Sequence, residues 1–252
     1  MKSAEVQTDE LQVSGISDSH VRGFIDRCIH ESAKTAIYIT AANGGYLDPS
    51  GSEAYGEEGD GANFKHYYFE NSELPFVMKG DTILLRDKTE IERVISNYVS
   101  VESDKCINNL EAFSGQGIRF EFENFSQNAV VHTMINAEDV MVTADWKVSI
   151  AEGNSINTIE RFSSDLDLRL GILYSTLESI LTGISSENNY DIREHCHEYS
   201  SDPLINIYLE SNTYTYEYVI RIIDAGPLLR ADIPLKFKAA VKNMNLSGDC
   251  IG

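Results

Sequence analysis

The side chains best suited to react or to hold a metal are the four cysteines, Cys28, Cys106, Cys196 and Cys250. None falls in a C-x-x-C pair, so the spacing excludes a zinc ribbon. An even, sparse set fits two disulfides in an exported domain. Four thiols acting as small apolar side chains fit the composition as well. Cys28 and His30 are near in sequence, but two residues on a helix stand about 200° apart, which does not pair a thiolate with an imidazole. In His195-Cys196-His197 two imidazoles share one side of an extended chain. Two ligands are too few for zinc or copper without distant partners such as His66 or His132. A polar loop carrying a half-buried disulfide is the plainer reading.

Oxygen ligands concentrate in residues 43–64, NGGYLDPSGSEAYGEEGDGANF. Asp48, Glu53, Glu57, Glu58 and Asp60 are hard donors of the kind calcium takes, but their spacing does not match the calcium-loop pattern. The same glycines do not spell a phosphate loop, and the acids around them repel phosphate. A solvated loop is expected, and its first residues, Asn43, Gly44, Gly45, Tyr46 and Asp48, form the candidate ligand loop. There is no G-x-S-x-G nucleophile elbow. A glycosidase carboxylate pair has no local signature, and 40 acids offer no reason to choose two. Tyr214, Tyr216 and Tyr218 alternate along one strand, where they suit a sugar or peptide and equally suit cross-strand packing. Tyr67-Tyr68-Phe69 has the same two readings. No cofactor and no metal is implied.

These residues must be positioned by helices and strands that the hydrophobic spacing makes visible. Residues 18–42 carry apolar side chains at three- and four-residue steps, from Val21 through Cys28 to Ile37, and Gly44-Gly45 stops that helix. A second helix over 87–113 begins with Asp87 and Glu90 in the outline of a capping box. A Pro75-containing turn and an apolar stretch, Thr82 to Leu85, lie between them. Residues 117–164 switch to a period of two, as in Val140, Val142, Ala144, Trp146, Val148 and Ile150, with turn signals at 126–128, 136–139 and 152–154. That spacing reads as an antiparallel meander with one wet face. A third helix over 167–184 follows, then a polar stretch and three more strands, at 205–209, 213–223 and 233–241.

Helices grouped with runs of strands indicate an α+β fold, with N-terminal helices packed on antiparallel sheet and about seven strands. The organisation expected is a leader or linker over 1–16, one domain over 17–245, and a tail over 246–252. The domain divides into a helical part with its loop (17–114) and a sheet-rich part (115–245).

The formal net charge is −20, from 40 acids and 20 bases. Such a field repels phosphate backbones and anionic membrane surfaces, so nucleic acid is not an expected partner. No apolar run approaches the ~18 residues of a membrane-spanning helix. MKSAEVQTDELQVSG lacks the basic start and apolar centre of a signal peptide. Asn124-Phe125-Ser126 and Asn245-Leu246-Ser247 match the N-glycosylation acceptor, which agrees with export.

Several segments, in order, carry a resemblance. They are the Cys28 helix followed by ITAANGGYL, YYFE near residue 67, DKCINNLEAF, DWKVSI followed by EGN, RLGILYSTLESIL, and VIRIIDAGPLL followed by PLKFKAAVKN. Together, over about residues 20–245, they resemble a group of uncharacterised archaeal exported proteins with an N-terminal membrane anchor and a soluble outer domain. The resemblance implies the outer domain without its anchor, no known activity or ligand, and a Cys28–Cys106 disulfide. Cys196 with Cys250 is the remaining pair. The expectation is a non-enzymatic extracellular or cell-surface domain with a protein or glycan partner, touching a membrane only through an anchor. Free cysteines would instead place it in the cytoplasm. The alternatives are a ligand-sensing outer domain, with 43–62 as a lid, and a carboxylate-based hydrolase.

Overall fold

The computed structural model describes residues 18–48, 66–69, 72–107, 118–122, 129–152, 155–186, 190–195, 202–212, 217–226, 233–242 and 246–247. In chain order they form α1 (Asp18–Ala42), β1 (His66–Phe69), β2 (Ser72–Lys79), β3 (Thr82–Ile83), α2 (Lys88–Ile107), β4 (Ile118–Phe122), β5 (Val130–Ile135), β6 (Val140–Glu152) and β7 (Ser155–Leu166). Then come α3 (Leu170–Ser186), β8 (Tyr190–Asp191), a 3-10 turn (Ile192–His195), β9 (Ile205–Asn212), β10 (Glu217–Asp224), β11 (Leu235–Lys242) and β12 (Leu246–Ser247). The fold is α+β, as expected.

The apolar stripe of α1 is buried along its length, from Val21, Ile25 and Cys28 to Ile37 and Ala41. It packs on α2 and reaches both sheets, at β7 and at β11. Asp87 caps α2: its Oδ1 accepts the Thr89 N–H at 2.9 Å, and its carbonyl accepts those of Glu90 and Ile91. Glu90 does not return to close a capping box; it takes the Arg93 guanidinium at 2.9 Å instead. The start of α2 lies near the end of α1, and Cys106 near its end is bonded to Cys28, so the two helices run antiparallel.

The smaller sheet is built on β6, whose buried face is Val140, Val142, Ala144, Trp146, Val148 and Ile150, the six residues the alternation selects. A simple meander was expected, but β4 does not pair with β5. Both lie end to end along one edge of β6, β5 against residues 140–145 and β4 against 148–152, with β7 on the other edge. At thirteen residues β6 is long enough to serve two partners.

The unpaired edge of β5 is covered by α2. Side chains at four-residue spacing meet it in turn: Lys88 Nζ donates to the Ile135 carbonyl, Glu92 accepts the Ile135 N–H at 2.8 Å, Ser96 donates to Thr133 Oγ1, and Ser100 donates to the Ala129 carbonyl. The helix thereby takes up the Ile135 N–H and carbonyl and the Ala129 carbonyl at this edge.

The larger sheet has the order β1-β2-β11-β10-β9, with β3 beside β2. Pro75 is not in a turn; it lies inside β2. The β11 ladder starts only at Phe76, so the missing proline N–H breaks no bond on that side. The β2–β11 junction is parallel, a departure from the antiparallel expectation, and it exceeds a hairpin's reach because most of the chain lies between those strands. Strand β2, hidden by Pro75, and the short strands β1, β3, β8 and β12, whose two- to four-residue pairings leave no period to read, raise the strand count among the described residues to twelve. Helix α3 packs on β10, β11 and β3. One continuous core joins both sheets and all three helices.

Candidate functional site

Helix periodicity puts Cys28 on the buried stripe of α1, and α2 brings Cys106 against it. The two are joined as a disulfide with Cα atoms 5.9 Å apart, spanning 78 residues of sequence. The pairing implied by the resemblance is therefore present. With its sulfur in a disulfide, Cys28 offers no thiolate, and His30 bonds elsewhere, its Nδ1 lying 2.9 Å from Ser164 Oγ on β7. Cys196 and Cys250 lie outside the described residues, as do His197, Tyr214, Tyr216 and the acidic stretch after Asp48, with Glu53, Glu57, Glu58 and Asp60. His132 stands exposed on β5, and among the described residues no group of three His, Cys, Asp or Glu side chains is placed to hold a metal.

The candidate ligand loop closes α1. The Gly45 N–H donates to the Thr40 carbonyl at 2.8 Å and the Gly44 N–H to that of Ala41, with Gly44 at φ 66°, the left-handed helix stop. A Cβ on Gly44 would meet the Lys238 carbonyl oxygen at 3.0 Å, and one on Gly45 would meet Ile91 at 3.2 Å, so the turn is wedged between β11 and α2. Asn43 donates its side-chain amide to the Leu47 carbonyl. Arg86 lies over the Tyr46 ring, 4.1 Å from its centre. The glycines that suggested a binding loop serve here as a helix cap packed into the domain.

Sequence reasoning missed the strongest electrostatic cluster. Arg169, at the entrance to α3, donates from Nε to Asp224 Oδ2 at 3.0 Å, and its other nitrogens hold Asp224 Oδ1 and Asp202. Asp224 is fully buried at the end of β10. The Gly226 N–H also donates to it, and the Leu204 N–H donates to Asp202. That backbone bond, with Arg169, holds the Asp202 carboxyl below the usual range; the two acids in turn push the Arg169 guanidinium up. Two carboxylates share one guanidinium, an arrangement that suits a structural clamp. The signal in the sequence was slight, two acids at strand ends and an arginine before a helix.

The outer face of the larger sheet is the second cluster the sequence did not show, because it is assembled across strands. Register places Tyr208, Arg221 and Lys238 in one row, Asn206, Ile223 and Lys236 in the next, and Glu217, Lys242 and Lys79 in another. Alternate residues of the same strands, such as Ile207, Ile222 and Phe237, are buried in the core. Arg221 pairs with Glu210 at 2.8 Å and stands over the Tyr208 ring; Lys242 pairs with Glu217 at 2.6 Å. Lys79 and Lys236 are exposed. Between the rows, Leu74, Phe76, Val219 and Ala240 make a small apolar cluster separate from the main core.

Among the described residues no helix is long and apolar enough to cross a membrane. Comparison with protein-family models, with curated proteins and with solved structures finds no match for this chain.

Proposed function

We propose that this chain works outside the cytosol as a disulfide-stapled surface domain, binding a protein or glycan partner and not transforming a substrate. The single observation that carries the reading is the Cys28–Cys106 bond. Disulfides between distant helices persist in oxidising compartments and are rare where glutathione keeps thiols reduced. A continuous core joining both sheets and the helices supports a binding role, since a rigid scaffold can present surface side chains without rearranging. The Gly44-Gly45 turn, part of the candidate ligand loop, caps α1, and Asp202 and Asp224, a pair of carboxylates, clamp Arg169.

The test is accessibility on intact cells of the source organism. A membrane-impermeant amine label should mark the protein before lysis, and protease added outside should remove it. Labelling only after lysis would overturn the proposal.

A further inference from the structure

We infer that the outer face of the smaller sheet carries a binding site for a soft monovalent cation, copper(I) or silver(I), built from His132, Met134 and Met141. The inference goes beyond the reading of the domain as a surface binding module and does not depend on where the domain works. Register pairs Met134 on β5 directly with Met141 on β6, and His132 stands two residues before Met134 on the same side of β5. The other sides of these strands turn toward α2 and the core, with Thr133 bonded to Ser96 and with Ile135, Val140 and Val142 buried. Exposure is 45% at Met134 and 37% at Met141, and His132 is exposed as well. The chain has five methionines, and two of them meet each other on this wet face. Neither belongs to the hydrophobic core, so core packing does not account for the pair.

The donor atoms select the class of cation. Directly opposed residues have Cβ atoms about 5 Å apart and diagonal neighbours about 7–8 Å apart, spans that methionine and histidine side chains bridge. Two thioether sulfurs and one imidazole nitrogen can therefore close on a single ion, at the roughly 2.0–2.3 Å usual for nitrogen and sulfur ligands of a closed-shell metal. Thioethers are soft, neutral donors that select copper(I), whereas magnesium, calcium and manganese take carboxylates and carbonyls. Asp145, diagonal to His132 on β6, is the hard donor beside the site, and the Arg161 guanidinium engages it at 2.6 Å. Asp165 opposes Met141 from β7 and, with a formal net charge of −20 on the chain, favours the approach of a cation. Cys28 and Cys106, joined to each other, offer no competing thiolate.

The measurement is anaerobic titration of the whole chain, any free thiol first alkylated without reductant, with silver(I) as the redox-inert probe and with copper(I) in competition with bicinchoninate. Silver(I) should shift the methyl resonances of Met134 and Met141 and leave that of the buried Met78 in place. Met134→Leu and Met141→Leu, which nearly conserve volume, and His132→Gln should each weaken binding of both ions at least about tenfold. His20→Gln, on α1, should leave it unchanged. Zinc(II) should bind at least about tenfold more weakly than copper(I). Near-UV circular dichroism checks that each variant keeps its fold. Failure to bind either ion, methyl shifts that spare Met134 and Met141, indifference to the three substitutions in folded variants, or equal affinity for zinc(II) would each overturn the inference.

Discussion

Arg169 and Asp224 join two parts of the fold that sequence separates by 55 residues: the guanidinium at the start of α3 closes over the carboxylate that ends β10. Asp224 is fully buried, and Arg169 nearly so. A buried charge that loses its partner is left unsolvated, at a cost of about 3–5 kcal/mol. Arg169→Met should therefore destabilise strongly in urea denaturation. Adding Asp224→Asn should give a smaller loss than the two single losses summed, because the second change removes the orphaned charge. Simple additivity would mean the pair is not coupled.

Acid unfolding separates two carboxylates of opposite sign. The pKa of Asp202 is lowered, so its contribution is full above the unfolded value of about 3.9 and is lost as pH falls through the lower, folded value. Asp26 is raised, chiefly by burial, against the pull of Arg22 and of the Ser163 N–H. Its contribution is full below the unfolded value and is lost as pH rises through the higher, folded value. Asp202→Asn should flatten the acid limb of a stability–pH curve, and Asp26→Asn should steepen it. The same change in both variants would contradict the assignments.

Close approach holds Gly44 and Gly171. Gly44→Ala must adopt a positive φ and press on the Lys238 carbonyl, a loss of about 1–2 kcal/mol. Gly171→Ala should be worse, since its Cβ would collide with the Asn136 carbonyl in the β5–β6 turn, backbone that cannot swing aside. Gly23→Ala in α1 meets nothing within 4 Å and should stabilise by up to about 1 kcal/mol. Thermal melting orders the three variants.

The elements that bury a continuous stripe were legible. Alternation selected the buried face of β6, and three- and four-residue spacing placed α1 at its observed limits, because each follows from a local period. What was not legible depends on partners distant in sequence. Pro75 looks like a turn until β11 is seen to leave its nitrogen unneeded. Nothing local in Lys88, Glu92, Ser96 and Ser100 shows that β5 supplies their hydrogen-bond partners. The cations of β2, β10 and β11 are scattered in sequence and gather only through cross-strand register. Gly44 and Gly45 were located correctly as the end of α1, but their glycine content suggested a ligand loop where the packed fold needs a helix stop.

Thr40 Oγ1 and Ser103 Oγ are buried and have no hydrogen-bond partner among the described residues. Replacing a buried, unsatisfied hydroxyl by a methyl or hydrogen removes a desolvation penalty without opening a polar hole. Thr40→Val and Ser103→Ala should each be neutral or stabilising by about 1 kcal/mol in denaturant titration. A loss of stability in both would show that these hydroxyls are satisfied in solution.

The disulfide carries the account of where this domain works. Closing a loop of 78 residues stabilises by about 4 kcal/mol in the chain-entropy model, so paired Cys28→Ser and Cys106→Ser changes should lower the urea midpoint sharply. We also propose Cys196–Cys250 as a second bridge. The most direct measurement is intact mass and peptide mapping of native protein after alkylation without reductant, repeated after reduction. The account predicts a Cys28–Cys106 cross-linked peptide and no alkylation at either residue until reductant is added. Ready alkylation of Cys28 and Cys106 in the unreduced protein would contradict it.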